Sequence, residues 1–544
     1  MRDDNDMIIP TEIDRLCEFY IAFRLSSWFI TDNKTVIRAP HNRFCAQCFK
    51  RRYFSEFDAA PIKEVSKDAL LLARSIDRSN KPGSDWSCFS IESQELLKKF
   101  DLIAYENCQL CGTKTMTTKS DAEKRYEHLI HNESTPDIEG LNKLLFSFGF
   151  AKSAYSSNKL NFGDERFEKI LGGSFFSRIS ARISPIGGDL IDINTLGYAT
   201  NKELAELKSS MEFIERYAFI QQTSPLVSNE YDENLIREQL SLYSRDISQD
   251  EMSEIKSNSV WAIDLANYTA SPIPTQFIYD KGKLRFIRPC SSGFAAHIDF
   301  QKSLINGIFE LVERDAFIRF WHEPMSAYDF QPDNKVLNAI NDIIDALDIV
   351  LNNGSLFGRC YVVKSPTRIP VVMTTIASKE HNKPPSLIFG YGVGFSLHQA
   401  LLKSIDELRT NALNLLVSVA SDNNYLRKNH DYRHIKSIPD RMNFYSTHHP
   451  RSRLAFLDMK NPVINGAYNN LDNEELETVV RQFSNNQLKI YGIDMTPACF
   501  KDKNVYVTRA FSPSLFPLQY EEENCLNLNT SESSLKDELP HFFI

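Results

Sequence analysis

No stretch of the 544 residues comes near the roughly 20 consecutive apolar positions that a bilayer-spanning helix needs. The opening Met-Arg-Asp-Asp-Asn-Asp lacks the apolar core of a secretory signal peptide. Both absences point to a cytoplasmic protein without a membrane partner. Acidic residues outnumber basic ones, 71 to 62. The net charge of -9 argues against a general nucleic-acid binder, which needs clustered Lys and Arg against phosphate. There is no fixed-period repeat and no low-complexity run. A Walker A loop and the kinase motif set are missing too, so neither of those motifs marks a nucleotide site.

What is present is ordinary in bulk. Hydrophobic residues make up 42% and charged residues 24%, as expected of a soluble globular protein. The length suits two domains or more, with large cores. The ten cysteines read as thiols or metal ligands rather than disulfides in a cytoplasmic setting. Six of the ten fall within residues 1–160, where the pattern is irregular. The polar stretch 155–164 reads as a linker. Beyond it, from residue 165 onward, short strand-like segments alternate with amphipathic helices without a strict βαβ rhythm. That pattern predicts an α+β domain.

Three predicted helices carry the chemistry. The first covers 202–220, with Leu204, Leu207, Met211, Ile214 and Ala218 at helical spacing. The second covers 300–321, with Leu304, Ile308, Leu311 and Phe317; the third covers 396–417, with Leu401, Ile405 and Leu408. Segments 361–364, 371–376 and 505–510 read as strands, while 345–352 fits a helix end or a strand equally well.

The first helix holds Glu212, Glu215 and Arg216, and the second repeats the arrangement with Glu310, Glu313 and Arg314, followed by Asp315. Spacings of three and four put both carboxylates and the guanidinium on one helix face. The third helix offers Asp406, Glu407 and Arg409. A single such group would ordinarily be a solvated, ion-paired surface. The duplication and the bulky apolar residues after each arginine (Tyr217 and Phe219, Phe317 and Ile318) point instead to buried helices, whose carboxylates need a cation. Mg²⁺ is usually held by one or two carboxylates together with substrate phosphates. Two glutamate pairs therefore suit Mg²⁺ bridging a polyphosphate, with Arg216 and Arg314 on phosphate oxygens or orienting the glutamates.

Cys45-Ala-Gln-Cys48 and Cys108-Gln-Leu-Cys111 supply four thiolates at a spacing that suits a closed, structural Zn²⁺ site. The basic residues Arg43, Lys50, Arg51 and Arg52 favour thiolate there. Unpaired free thiols and a redox pair are the competing readings.

The run from Cys290 to Phe317, with its Ser-Ser-Gly turn, Ala295-Ala296 and Glu310-Leu-Val-Glu313-Arg314-Asp315-Ala-Phe317, closely resembles the central motif of the YcaO family. Ser209 to Arg216 resembles the family's Ser-x-x-Glu-x-x-Glu-Arg, and Gly392 to Glu407 its third motif. The likeness runs over residues 165–544 and implies a YcaO domain there. Residues 1–160, whose Cys45–Cys48 knuckle resembles the one ahead of YcaO domains in thiazole/oxazole-modifying enzymes, would form a smaller zinc-binding domain, part of an adenylation-type fold. By this resemblance Glu212, Glu215, Glu310, Glu313 and Glu407 bind Mg²⁺ and ATP phosphates, with Arg216 and Arg314 beside them and Ser209 and Ser292 along the nucleotide; Glu310, Glu313 and Arg314 are the catalytic set.

The implied activity is ATP-dependent cyclodehydration of Cys, Ser or Thr in a ribosomal precursor peptide to azolines, through phosphorylation of the backbone amide oxygen, in bacteriocin biosynthesis. Thioamidation by the same fold and a zinc-containing scaffold without turnover are the alternatives. Implied partners are the precursor peptide, a leader-binding protein, a flavin-dependent azoline dehydrogenase and a second copy of the chain. This sequence departs from the family where Tyr198 stands in a Gly-Lys-Gly-like turn, where Ser292 replaces Asn, and where Thr410 and Asn411 stand near an expected Gln. Its end, 538–544, resembles the Pro-His-Pro-type tail of azoline-forming members.

Overall fold

The computed structural model describes residues 117–131, 175–183, 191–199, 201–221, 226–243, 246–279, 291–322, 327–380, 383–421, 444–446, 454–458, 470–497 and 503–518, the single positions 141, 462 and 500, and the backbone of the strands ahead of residue 160. Five strands come first: β1 (Tyr20–Ala22), β2 (Ser26–Asp32), β3 (Thr35–Pro40), β4 (Trp86–Ser90) and β5 (Leu96–Phe100), joined in sequential antiparallel order. Helix α1 (Lys119–Ile130) follows, then a three-stranded antiparallel sheet of β6 (Ala151–Ser156), β7 (Phe175–Ile183) and β8 (Ile191–Ala199). Tyr155 and Ser156, read from sequence as linker, are thus the end of a strand that pairs with β7.

After β8 come α2 (Lys202–Gln221), β9 (Val227–Ser228), α3 (Glu233–Leu240), α4 (Gln249–Ile255), β10 (Ser259–Asp264), β11 (Ala270–Pro274), β12 (Phe294–His297) and α5 (Phe300–His322). The chain continues through β13 (Ala327–Phe330), α6 (Asn334–Leu351), β14 (Leu356–Val363), β15 (Val371–Ser378), β16 (Ile388–Val393), α7 (Leu397–Ser421), α8 (Leu476–Asn485), β17 (Tyr491–Asp494) and β18 (Tyr506–Phe511). The order β13-β14-β15-β16 makes one sheet and β11-β10-β17-β18-β12 another, with β9 added to β10. Helices and antiparallel sheets mix as an α+β chain should. The undecided segment 345–352 is the end of α6, which Asp333 caps through a bond from the Val336 amide and Asn352 stops in the left-handed conformation at φ 51°. No helix among the described residues is long and apolar enough to cross a membrane.

Each long helix α2, α5 and α7 starts on a side-chain cap: Asn201 accepts from the Leu204 amide, Asp299 from Lys302 and Ser396 from Gln399. Each follows a strand at the end of its sheet, namely β8, β12 and β16. The sequence shows no fixed-period repeat, yet this strand–cap–helix unit occurs three times. The shared residues are too few, a cap, a glycine and a glutamate, for string comparison to find.

Packing corrects the apolar stripe of α2. Leu204 is 41% exposed, and the buried line runs through Ala205, Ser209, Phe213, Ile214, Tyr217 and Ala218. The cause is Gly197 on β8: a Cβ there would lie 1.9 Å from the Ala205 carbonyl oxygen and 2.6 Å from the Ser209 amide. Backbones that close admit only small side chains between them, so the larger leucines are turned aside. Gly390 does the same for α7, where a Cβ would meet the Ser404 oxygen at 2.1 Å.

Helix α1 and Thr117 just before it are bonded to the six-stranded sheet. Trp261 Nε1 donates to the Thr117 carbonyl at 2.7 Å, Tyr126 Oη donates to the Trp261 carbonyl at 2.8 Å, and Arg125 Nε donates to the wholly buried Asp494 at 3.0 Å.

Candidate active site

A strand at the edge of a sheet leaves amides without a ladder partner, and a buried amide must find an acceptor elsewhere. All three units answer this in the same way. The Leu196 amide of β8 donates to Glu212 Oε2 at 3.0 Å, the Gly293 amide before β12 to Glu310 Oε2 at 3.0 Å, and the Tyr391 amide of β16 to Glu407 Oε2 at 2.5 Å. The glutamates reach back sixteen, seventeen and sixteen residues. One oxygen of each carboxylate is thereby fixed to its own sheet edge.

Gly293 sits in the turn at φ 84°, and a Cβ there would lie 2.4 Å from the Ala510 carbonyl oxygen. Only glycine tolerates both conditions. Ser292 is buried beside it.

Arginines hold the other oxygens. Arg216 Nη2 donates to Glu212 Oε1 at 2.6 Å, and Arg314 Nη2 donates to Glu310 Oε1 at 3.2 Å while its Nη1 pairs with Glu313 at 3.4 Å. In the third unit Asn411 occupies the matching place, four residues after Glu407, and its Nδ2 donates to the Phe389 carbonyl of β16 at 2.9 Å. Thr410 turns back onto its own helix, donating to the Asp406 carbonyl at 2.9 Å.

The five glutamates share one electrostatic environment. Burial pushes the Glu215 carboxyl well above the usual carboxylate range, and Glu310 and Glu212 push it further. Burial also raises Glu212, Glu310 and Glu313, with Arg216 opposing it at the first and Arg314 at the other two. Glu407 is raised to about 8, first by burial and then by Glu313. The charges of Glu215 and Glu310 thus couple α2 electrostatically to α5, and those of Glu313 and Glu407 couple α5 to α7.

Two groups near the cluster did not stand out in the sequence. The Tyr391 phenol is pushed well above its ordinary value by burial and by Glu313 and Glu407. The Lys403 ammonium lies 5.1 Å from the Phe309 ring centroid, and burial lowers it while Glu313 and Glu474 oppose the shift. Lys403 stands one helical turn before Glu407, the spacing that could have revealed it.

Ser209 occupies a different setting. Its hydroxyl is wholly buried against β7 and β8, 2.7 Å from the Ser177 hydroxyl and donating to the Glu206 carbonyl at 3.0 Å. The expected zinc ligands Cys45, Cys48, Cys108 and Cys111, and the tail 538–544, lie outside the described residues.

Five half-buried carboxylates beside Arg216, Arg314 and Lys403 carry surplus negative charge once ionised, and a surplus partly withdrawn from water calls for a cation. Among the described residues no three His, Cys, Asp or Glu side chains enclose a metal ion by themselves. The donor set fits Mg²⁺ in its usual mode, in which one or two carboxylates bind and phosphate and water complete the octahedron. It does not fit a metal caged by protein alone.

A family model described as YcaO cyclodehydratase, ATP- and Mg²⁺-binding, matches residues 196–516. No curated protein matched the sequence. Among solved structures, a heterocyclase in complex with substrate and cofactor is 14% identical, with a TM-score of 0.59 over 90% of this chain and 73% of that one. The heterocyclase TruD is 14% identical, with a TM-score of 0.49 over 90% of this chain and 70% of that one. YcaO from Methanopyrus kandleri, bound with AMPPCP and Mg²⁺, is 15% identical, with a TM-score of 0.47 over 70% of this chain and 89% of that one.

Proposed function

This chain belongs to the YcaO cyclodehydratase family, and on that footing we propose that it spends ATP to cyclise Cys, Ser or Thr residues of a ribosomal precursor peptide into azolines. The observation that carries the proposal is the convergence of five half-buried glutamates from α2, α5 and α7, three of them anchored to amides at sheet edges. In this reading Glu212, Glu215, Glu310, Glu313 and Glu407 hold Mg²⁺ and, through it, the phosphates of ATP. Bound Mg²⁺ stabilises the charge on a transferring phosphoryl group.

The residues supply positioning and electrostatics. The edge amides and arginines keep four of the five carboxylates, Glu212, Glu310, Glu313 and Glu407, in place before any ligand arrives, so little reorganisation is left for the reaction itself. The substrate thiol or hydroxyl loses its proton to solvent as it attacks the preceding amide carbon, and the amide oxygen takes the γ-phosphoryl group of ATP, releasing ADP. That oxygen then departs as phosphate, and the amide nitrogen loses its proton to leave the ring C=N bond. Arg314, which bridges Glu310 and Glu313, is placed to balance charge as phosphate forms. Ser292, in the turn beside the Gly293 amide, is assigned to the nucleotide side of the site, and Ser209 to the helix face behind Glu212.

Incubation with ATP, Mg²⁺, precursor peptide and a leader-binding partner, followed by mass spectrometry, tests the reading. Loss of one water per modified residue is expected. A gain from exchange of oxygen for sulfur would assign thioamidation instead, and an unmodified peptide without phosphate release would leave a scaffold. Support for a zinc site at Cys45, Cys48, Cys108 and Cys111 is their spacing. Metal analysis of the purified chain should find stoichiometric zinc, lost when Cys45 and Cys48 are replaced by Ala.

A further inference from the structure

The three glutamate-bearing units turn like charges toward one another. Glu310 of unit two (β12–α5) raises the Glu215 carboxyl of unit one (β8–α2), with Arg314 opposing it. Glu313 of unit two raises Glu407 of unit three (β16–α7), again opposed by Arg314. Once ionised, as metal binding requires, such carboxylates push their carriers apart unless a cation intervenes. Lys208 of unit one likewise lowers Lys403 of unit three, while Glu313 and Glu474 oppose the shift.

Against this stands one attractive polar contact between units three and one. Arg409 Nη1, on α7 two residues beyond Glu407, donates to the Tyr198 hydroxyl of β8 at 3.2 Å. Its guanidinium carbon lies 5.7 Å from the centre of the Tyr198 ring, within cation–π range. The same nitrogen donates to Asp406 Oδ1 at 3.0 Å, which orients the fork. Tyr198 packs against the hydrophobic cluster of α6, β14–β16 and α7. It is also two residues past Leu196, the amide that anchors Glu212. The pair therefore connects the strand holding one carboxylate with the helix holding another.

We propose that the Tyr198–Arg409 pair is a clasp that closes the ring of three units and positions Glu212 and Glu215 against Glu407. Both are positioning residues, acting through the glutamates. The proposal rests on the metal–nucleotide reading of those glutamates. Tyr198 offers a ring face and a hydroxyl acceptor, both of which a guanidinium can use.

Without the clasp the ring is less often closed, and the apparent affinity for Mg²⁺·ATP falls by the lost closed fraction. Saturating ligand would restore the closed arrangement, because a bound cation held by these glutamates would offset their charge. Full-length Tyr198→Ala and Arg409→Ala should each raise KM for Mg²⁺·ATP by roughly tenfold and leave kcat for phosphate release close to that of the parent. The double variant should be no worse than the weaker single one. Tyr198→Phe, which keeps the ring, should lie between.

Thermal melts of all four identify any variant that fails to fold, for which Tyr198→Phe and Arg409→Lys substitute in the cycle. Additive effects of the two alanines, an unchanged KM, or a loss confined to kcat would each overturn the clasp. A parent protein that neither binds nor turns over Mg²⁺·ATP would overturn the proposed function and the clasp with it. Turnover in the parent combined with additive variants overturns the clasp alone.

Discussion

Glu407 shows how burial sets the working state of a side chain. With its carboxyl raised to about 8, it keeps a proton at neutral pH that the unfolded chain has already released. The folded form without ligand therefore binds more protons than the unfolded form, and stability falls as pH rises from the ordinary carboxylate range toward 8. Mg²⁺ reverses the preference, since a metal ligand must be deprotonated. Uptake of Mg²⁺·ATP at pH 7 is expected to release protons and to tighten as pH rises toward 8. Calorimetry in buffers of different ionisation enthalpy measures the release, which should shrink in Glu407→Gln. Binding without proton release at pH 7 would show that the carboxyl is already ionised.

Asp315 follows Arg314 on the same helix and does a different job. It is wholly buried, accepts from Arg319 Nε and from the Phe516 amide, each at 2.8 Å, and so ties α5 to the segment after β18. Asp315→Ala leaves a guanidinium and a buried amide without their acceptor. Chemical denaturation should show a loss of about 3 kcal/mol, the lower end for breaking a buried pair, because Arg319 is partly exposed.

Among the elements, the three long helices were legible in the sequence and their surroundings were not. Apolar spacing placed α2, α5 and α7 within a few residues of their observed ends, because each buries a continuous stripe. The stripe of α2 was misread at Leu204, since nothing in a local window reports that Gly197 will bring β8 within van der Waals contact of Ala205. The strand-to-helix approach also makes a prediction. A methyl group at Gly390 would overlap the Ser404 and Leu408 backbone, so Gly390→Ala must move α7 and the carboxylate of Glu407 with it. Both the melting temperature and Mg²⁺·ATP affinity should fall. A variant with native stability and affinity would mean that α7 can shift without disturbing the site.

Across the whole molecule, the glutamates were readable as a set because chemistry and motif agreed on them. Their anchors were not, since an edge amide is a property of topology: Leu196, Gly293 and Tyr391 acquire meaning only once β8, β12 and β16 end their sheets. Arg409 was visible beside Glu407, but its partner Tyr198 lies on a different unit. The architecture that results is three sheet edges, each clamped by a carboxyl group, converging on one cluster of glutamates.

Mg²⁺-dependent phosphate release from ATP, measured on the parent chain and on Glu212→Gln, Glu215→Gln, Glu310→Gln, Glu313→Gln and Glu407→Gln, tests that arrangement most directly. Each glutamine keeps the shape of its glutamate and removes the charge. Severe loss in all five, with native melting behaviour, is the expected result. Parent-level turnover in the variants of any one helix would contradict a single site built from three.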